Sequence, residues 1–541
     1  MNIKQNSLSY IGGIFFLIGL ILILISWHFT YPISMPGLDE LAFNQFYPTI
    51  WLGILLSIIG LFLAGFYSKR KIIQFGCIAF FPLILTSYTY FFYYIPTSDS
   101  AGVKGMFEIF HQASTNTAIE PYFQFPTYFT LNEVTAQTLG LNATAIAIIF
   151  YALFGILIAI YLFLYLRKIT EKNSYHIAFL AVLLYFTGIF FNLNYQWVPQ
   201  TLAFIFFILL LNLFNKNKIE YKILSMIIFI ALAFTHLFIP IIFLFFLGFY
   251  SLKEKDYRNM FLLMSCIYVA ALVYNATFYL PVIIDAFSSS TFGFGAEYSV
   301  RVSQSFMETE GLFSQILSLV NRIRIPLTWI IVAFGFFILW IKKKINFEAF
   351  TLGLIAGSYL IAGFLFPVLG TRSLQILLIP LVIGISYYFS KWKKPILIII
   401  TLLLLISIAG PMRESYDPYL YQVEEEEHAC NFIVNSMHVE KPIQFAIGGI
   451  NSGYFERKYN FINTDNNNSD LLWMLVPRNP EFFELINNTI DEDTIVLYNP
   501  NLGREMKLYG INNEQVKTIN DSLSDYNKIY SFGKTKVIVG R

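Results

Sequence analysis

Ser98-Asp99-Ser100 opens a stretch in which side chains capable of chemistry recur at helical spacing. Over residues 100–112, Val103, Phe107 and Phe110 share one face, while Lys104, Glu108 and His111 share another. The pattern predicts a short amphipathic helix lying along a membrane interface. Asp99 stands just before it, where a carboxylate serves either as a helix cap or as a reactive group. Glu108 and His111 could together ligate a metal, but two ligands do not make a site, so a solvated polar face is the simpler reading. Asp39 and Glu40 stand in a short loop near the start of the chain, where solvated loop acids are the simpler reading. His236, beside Pro240, reads as a turn residue whose ring bonds locally. Arg372, at the end of a late apolar run, reads on its own as a cation that snorkels to the interface.

The elements that must position these groups are set by composition. Of 541 residues, 56% are hydrophobic and 13% charged, about half the charge of a soluble domain, and 18% are aromatic. Mean hydropathy is +0.60. These values exclude a disordered chain, a coiled coil, a nucleic-acid binder and an ordinary cytosolic enzyme, and leave an integral membrane protein with several helical spans. Cys77, Cys266 and Cys430 are far apart and support neither a disulfide framework nor a zinc site. The first apolar run, Tyr10 to Trp27, is too long for a signal peptide and lacks a small-residue cleavage site, so no cleavable leader is expected.

Long apolar runs fill the chain from Tyr10 to Gly410. Basic clusters separate them at 69–71, 167–172, 216–222, 253–258, 342–344 and 391–394. The positive-inside rule puts all of these in the cytoplasm, so each interval holds an even number of crossings. The intervals give two spans around a polar loop at 95–141, and two around 192–200. A tight hairpin follows at 223–252, then two spans around a loop at 282–325 and two bent near Gly370-Thr-Arg372. With a hairpin before and a span (395–410) after, the expectation is about thirteen spans, an inside N-terminus and an outside C-terminus. Residues 1–412 hold 24 Lys+Arg and 15 Asp+Glu, whereas 413–541 hold 12 and 19. The second segment therefore reads as a small acidic α/β domain outside the membrane. Its expected elements are a helix from Glu424 to Met437, strands at 444–447 and 494–498, and a hairpin over 528–540 turning at Gly533. Sequons at Asn142, Asn467, Asn487 and Asn520 all fall outside in this topology.

No acid or base falls in the middle of an expected span, which counts against an ion-coupled transporter. No Gly-rich phosphate loop or pore-filter repeat is present, which counts against a pump or a channel. Ten of the fifteen acids in 1–412 lie on the outer side, facing Lys104, Arg301, Arg322, Arg324 and Arg372. Polar chemistry is thus concentrated at the outer membrane boundary, where a lipid-borne group would meet an external acceptor.

Four local features resemble the multi-span glycosyltransferases of the GT-C class, in particular their archaeal members. They are Ser98-Asp99-Ser100 with the helix after it and the aromatic-proline run Tyr122 to Tyr128; Asn194-Tyr-Gln-Trp-Val-Pro-Gln200; Phe234-Thr-His236 with Pro240; and Thr371-Arg372-Ser373-Leu-Gln375. A multi-span body followed by a small external α/β domain is similar to that class in layout. The resemblance implies an inverting transfer of sugar from a polyprenyl-phosphate donor to an extracytoplasmic glycolipid, lipid-linked glycan or protein. In that reading Asp99 is the single catalytic base and Arg372 holds the donor phosphate. Glu108, His111, Tyr122, Gln196, Gln200 and His236 are candidate substrate contacts. Asp39 and Glu40 are secondary catalytic candidates, because many such enzymes place the key acid after the first span. No metal ligands are assigned, and a divalent cation (Mg or Mn) is left open as a cofactor. Phosphate is a competent leaving group, so one carboxylate suffices where hydrolysis commonly needs two. The alternatives are a flippase or exporter of lipid-linked glycans, which would need a polar track, and a surface-polysaccharide polymerase or ligase.

Overall fold

The computed structural model describes residues 2–33, 45–92, 98–113, 125–170, 175–188, 197–214, 216, 218–276, 312–365, 375–384, 386 and 395–414. Beyond these it describes 425, 428–429, 431–433, 443–446, 472–475, 494–498, 513–523, 527–532 and 535–539. The chain is a helical membrane protein. Among the described residues, three stretches are long and apolar enough to cross a membrane, at Ser7–Thr30, Thr49–Tyr67 and Ala143–Ile169, and eight shorter apolar helical stretches accompany them.

In chain order the first helices are α1 (Asn2–Thr30), α2 (Thr49–Tyr67), α3 (Lys71–Leu85), α4 (Ser98–Ala113), α5 (Pro126–Leu139) and α6 (Ala143–Ile169). Next come α7 (Tyr175–Gly188), α8 (Pro199–Leu213), α9 (Ile219–Ala233), α10 (Phe238–Lys253) and α11 (Arg258–Tyr274). The series ends with α12 (Leu312–Ile341), α13 (Phe347–Leu365), α14 (Gln375–Gly384), α15 (Pro395–Ser407), α16 (Ala409–Glu414) and α17 (Asn513–Leu523).

Apolar helices take two different places in this bundle. Every residue of α7 from Ile177 to Gly188 is buried, so α7 is a central helix walled by protein on all sides. Helix α1 is just as apolar, yet its side chains from Tyr10 to Ile25 are largely exposed, as a lipid-facing helix requires. It packs on α2 through small residues. A Cβ at Gly12 would overlap the Ala64 backbone, and one at Gly60 would overlap Phe16, so glycine lets the two backbones touch. Ser26 Oγ to Thr49 Oγ1 (2.7 Å) and Ser9 Oγ donating to Ala64 O (3.0 Å) tie the same seam. Helix α9 shows Ile219, Ile223, Ile227 and Ile230 along one exposed stripe.

The expected hairpin at 223–252 is formed by α9 and α10, of 15 and 16 residues, with His236 in the turn between them. At 1.5 Å per residue, each arm rises about 22–24 Å, short of a hydrocarbon core of about 30 Å.

Three expectations change. The segment 95–141 was expected to be a polar loop with one surface helix. It contains α4 and also α5, which starts on Pro126 at N1 and stops at Gly140, whose φ of +64° terminates the helix. Helix α4 does not lie on a surface with a solvated face. Val103, Lys104, Met106, Phe107, Ile109 and Phe110 are all buried, because α4 packs against α5 and α6. The loop expected at 282–325 yields to helix from Leu312 onward, so Arg324 is a buried helix residue and not a loop cation.

Near the C-terminus, β1 (Ile443–Ala446), β2 (Leu472–Leu475), β3 (Thr494–Tyr498), β4 (Asn527–Phe532) and β5 (Thr535–Val539) form one sheet in the order β2-β1-β3-β5-β4. β1 runs parallel to β2 and β3, and β5 pairs antiparallel with β3 and β4. Phe532 pairs with Thr535 across the β4–β5 turn, at the Gly533 bend expected from sequence. Ile495, Val496 and Leu497 of β3 are buried, as are Val516, Ile519 and Leu523 along one face of α17.

Candidate active site

Helix α4 carries the Ser98-Asp99 motif in its first turn, a position at which the helix dipole stabilises a carboxylate. Because the helix starts at Ser98, Asp99 lies inside it and does not precede it as a cap. What fixes α4 is aromatic. The Phe107 ring meets Trp197 edge-on at 5.7 Å, and Phe110 meets Phe129 of α5 at 5.6 Å. Trp197 sits just before α8. Its indole Nε1 donates to Asn132 Oδ1 of α5 at 2.7 Å, and Asn132 Nδ2 donates to Tyr128 O at 2.7 Å. Trp197, Asn132 and Tyr128 are fully buried, and the indole N–H and the Asn132 amide have been given partners in place of water. Thr127 N donates to Phe234 O (3.3 Å), which joins the start of α5 to the end of α9. Helix α4, Trp197 and Phe234, scattered in sequence, are thus linked through the α5 segment.

Two cations that the sequence placed on a polar face and in a loop are buried. Lys104 is buried on α4, one turn and a half beyond Asp99, with Nζ 4.0 Å from Glu108 Oε1. Burying an ammonium is unfavourable without compensating contacts, so its place on this helix is a specific feature. Arg324 is also buried. Its Nη1 donates to Thr187 O at 2.9 Å, and Trp329 Nε1 donates to Gly188 O at 3.0 Å, so α12 caps the last carbonyls of α7. Gly188 also abuts Leu378 of α14, the helix that begins three residues after Arg372.

The remaining candidates divide as follows. His236 Nδ1 accepts from Phe238 N at 3.1 Å, a local turn bond. Gln200 is half-buried in the first turn of α8. The Glu108 side chain faces Lys104. His111 falls in the last turn of α4, with its side chain outside the described residues, as is that of Asp99. Asp39, Glu40, Tyr122, Gln196 and Arg372 lie outside the described residues altogether. Among the described residues, no three His, Cys, Asp or Glu side chains gather as a metal site. Trp197 is the anchor that sequence reasoning passed over. The signal was an apolar indole inside an otherwise polar motif.

No protein-family model matches this chain, and no curated protein is similar to it.

The opposite end of the bundle holds a second polar cluster. Lys168, at the end of α6, places Nζ 3.2 Å from Glu348 Oε1 in the first turn of α13 and donates to Leu211 O at 3.0 Å. The same ammonium lies 4.6 Å over the Phe214 ring and 5.7 Å over Tyr165. Glu348 N in turn donates to Asn346 Oδ1 at 3.0 Å, which caps α13. This pair bridges α6, α8 and α13, and it is as far along α6 from Asn142 as that helix allows.

Proposed function

We propose that the protein is a membrane glycosyltransferase that moves a sugar from a polyprenyl-phosphate donor to an acceptor outside the cytoplasm. The α4 end of the bundle would then face outward, with about thirteen spans in all and the five-stranded sheet in an external domain. The observation that carries this reading is the sunken α4 helix. It brings a dipole-favoured carboxylate, Asp99, and a buried ammonium, Lys104, onto one short element pinned by Trp197. A carboxylate can take the proton of an acceptor hydroxyl as that oxygen attacks the anomeric carbon. The bond from that carbon to the phosphate oxygen breaks at the same time, and the pair leaves with the polyprenyl phosphate. Cations then stabilise the departing phosphate: Arg372 by its fork geometry, and Lys104 from the helix that carries the base. A flippase reading would need charged groups in a track from end to end. Among the described residues, the buried Lys104 and the Lys168–Glu348 pair stand at opposite ends.

The test uses the full chain in detergent micelles with a radiolabelled polyprenyl-phosphate hexose and a membrane lipid extract as acceptor source. Label is expected to move to the acceptor without any vesicle. Asp99→Asn is expected to lower transfer by about 10²–10⁴-fold while the protein stays folded. Full activity in that variant would refute the assignment of the base, and absence of transfer by the wild-type chain would refute the enzyme.

A further inference from the structure

At the end of the bundle opposite α4, two cations converge on one tyrosine. Arg167 Nη1 donates to Tyr175 Oη at 2.7 Å, and its guanidinium carbon lies 4.8 Å from the Tyr175 ring centre. Lys71 Nζ lies 4.9 Å from the same ring centre. The ring is held in place from behind, since Tyr175 packs on Phe163 (6.0 Å) and Phe163 on Phe75 (4.9 Å). Among the described residues neither cation has a carboxylate partner. Lys71 also begins α3, and that helix has no acid in its first turn and no side-chain cap on Arg70. Lys71, with Arg70 before it, therefore stands at the positive end of a helix dipole, where cations are disfavoured and anions favoured. The next residue, Ile72, is one of the most exposed apolar side chains of the chain. An exposed isoleucine beside the lysine puts this cationic pair at the boundary with the lipid tails.

We infer that Lys71, Arg167 and Tyr175 form a binding site for the phosphodiester headgroup of an anionic phospholipid. The guanidinium, oriented by the tyrosine hydroxyl, and the ammonium share the phosphate, and the acyl chains run along Ile72. Cation–π contact fixes both charges before the lipid arrives, which lowers the ordering cost of binding. This site is independent of the proposed sugar transfer and lies at the other end of α6 from α4.

The experiment is native mass spectrometry of the full chain in detergent, titrated with phosphatidylglycerol or phosphatidylcholine. Wild type is expected to retain phosphatidylglycerol in preference to phosphatidylcholine. Lys71→Gln with Arg167→Gln is expected to weaken phosphatidylglycerol retention by about 10- to 30-fold. Tyr175→Phe is expected to weaken it by a smaller factor, about 3-fold, by freeing the guanidinium. Lys222→Gln, in a separate basic cluster, is expected to leave it unchanged. Inorganic phosphate at about 10 mM is expected not to displace the lipid, because it gains nothing from Ile72. Should the double variant fail to fold, salt gives the second reading: about 0.5 M NaCl must weaken retention by wild type. Undiminished retention in a folded double variant, salt-insensitive retention, equal retention of phosphatidylcholine, or full displacement by inorganic phosphate would each overturn the proposal.

Discussion

The two ends of helix α6 bury polar groups by different means. At its C-terminal end, full charges meet directly: Lys168 and Glu348 are 3.2 Å apart, and the ammonium is also held by Leu211 O and the Phe214 ring. At the α4 end, the lock is neutral. An indole, an amide and a backbone carbonyl form the chain Trp197–Asn132–Tyr128, and the charged pair Lys104–Glu108 stands at 4.0 Å, the outer limit of an ion pair. Opposite charges in close contact neutralise each other and fix helices together. Neutral groups can do the fixing without consuming the charges beside them. Under the proposed function, the difference would separate a structural end from an end at which charge is kept for chemistry.

The largest effects should come from breaking the close pair. Glu348→Ala leaves a lysine that is mostly buried facing no carboxylate, and it is expected to lower stability by about 3–5 kcal/mol, read by unfolding in mixed micelles. Lys168→Met combined with Glu348→Leu removes both charges and is expected to recover most of that loss. Glu108→Gln at the other end is expected to change stability by less than about 1 kcal/mol, since its contact is long and its side chain a quarter exposed. Equal losses from Glu108→Gln and Glu348→Gln would erase the contrast between the ends.

The neutral lock comes next. Trp197→Phe keeps most of the ring against Phe107 but strands Asn132 Oδ1 in a buried site, at about 1–3 kcal/mol. Asn132→Leu strands the indole N–H by a similar amount. The double variant Trp197→Phe/Asn132→Leu is expected to lose less than the sum, because neither orphan remains. Loosening α4 is also expected to reduce sugar transfer more than Glu348→Gln does at matched stability. A larger loss of transfer from Glu348→Gln would assign the chemistry to the wrong end.

Much of this arrangement was legible before the fold was known, and the reasons for the remainder are physical. Clusters of lysine and arginine and the long apolar runs marked a membrane protein, and the alternation around Gly533 marked the β4–β5 hairpin. Helices α1 and α7 read alike, because a helix apolar on all sides faces either lipid or protein, and only packing decides which. Helix α4 was found by its period, but its burial was not, since Lys104, Glu108 and His111 imitate a solvated face. Helix α5 was missed because 95–141 read as one polar loop between spans, whereas Pro126 at N1 starts a helix within it. The Lys168–Glu348 pair spans 180 positions, and nothing local announces a contact at that separation.

The β-sheet offers a contrast in which charges of like sign are set together. Burial pushes the Tyr498 hydroxyl up to about 12, and the negative charge of Asp521 adds to the shift. Below pH 10 the tyrosine is protonated whether folded or not, so its contribution is complete. Between about pH 10 and 12 the unfolded chain ionises while the folded one does not, and stability falls by at most about 1.4 kcal/mol per pH unit. Asp521→Asn is expected to move the ionisation of Tyr498 to lower pH, read as the difference in tyrosinate absorbance between wild type and variant during alkaline titration.

The smallest test compares two helix caps, one at each end of the bundle. Asn142 Oδ1 accepts from Ala145 N at 2.9 Å and caps α6; Asn346 Oδ1 accepts from Glu348 N at 3.0 Å and caps α13. Replacing an asparagine cap by alanine ordinarily costs about 1 kcal/mol. Asn142→Ala should cost no more than that, because the amide it releases lies on an exposed turn. Asn346→Ala should cost more, since the amide it holds belongs to the residue that carries the buried carboxylate. A frayed first turn in α13 would let Glu348 drift from Lys168, and the two losses would then be coupled. In the Glu348→Gln background the excess cost of Asn346→Ala should vanish, leaving only the ordinary cap. An excess that persists there would mean that the cap positions α13 without reference to the charge, and the C-terminal end of α6 would owe its rigidity to packing alone.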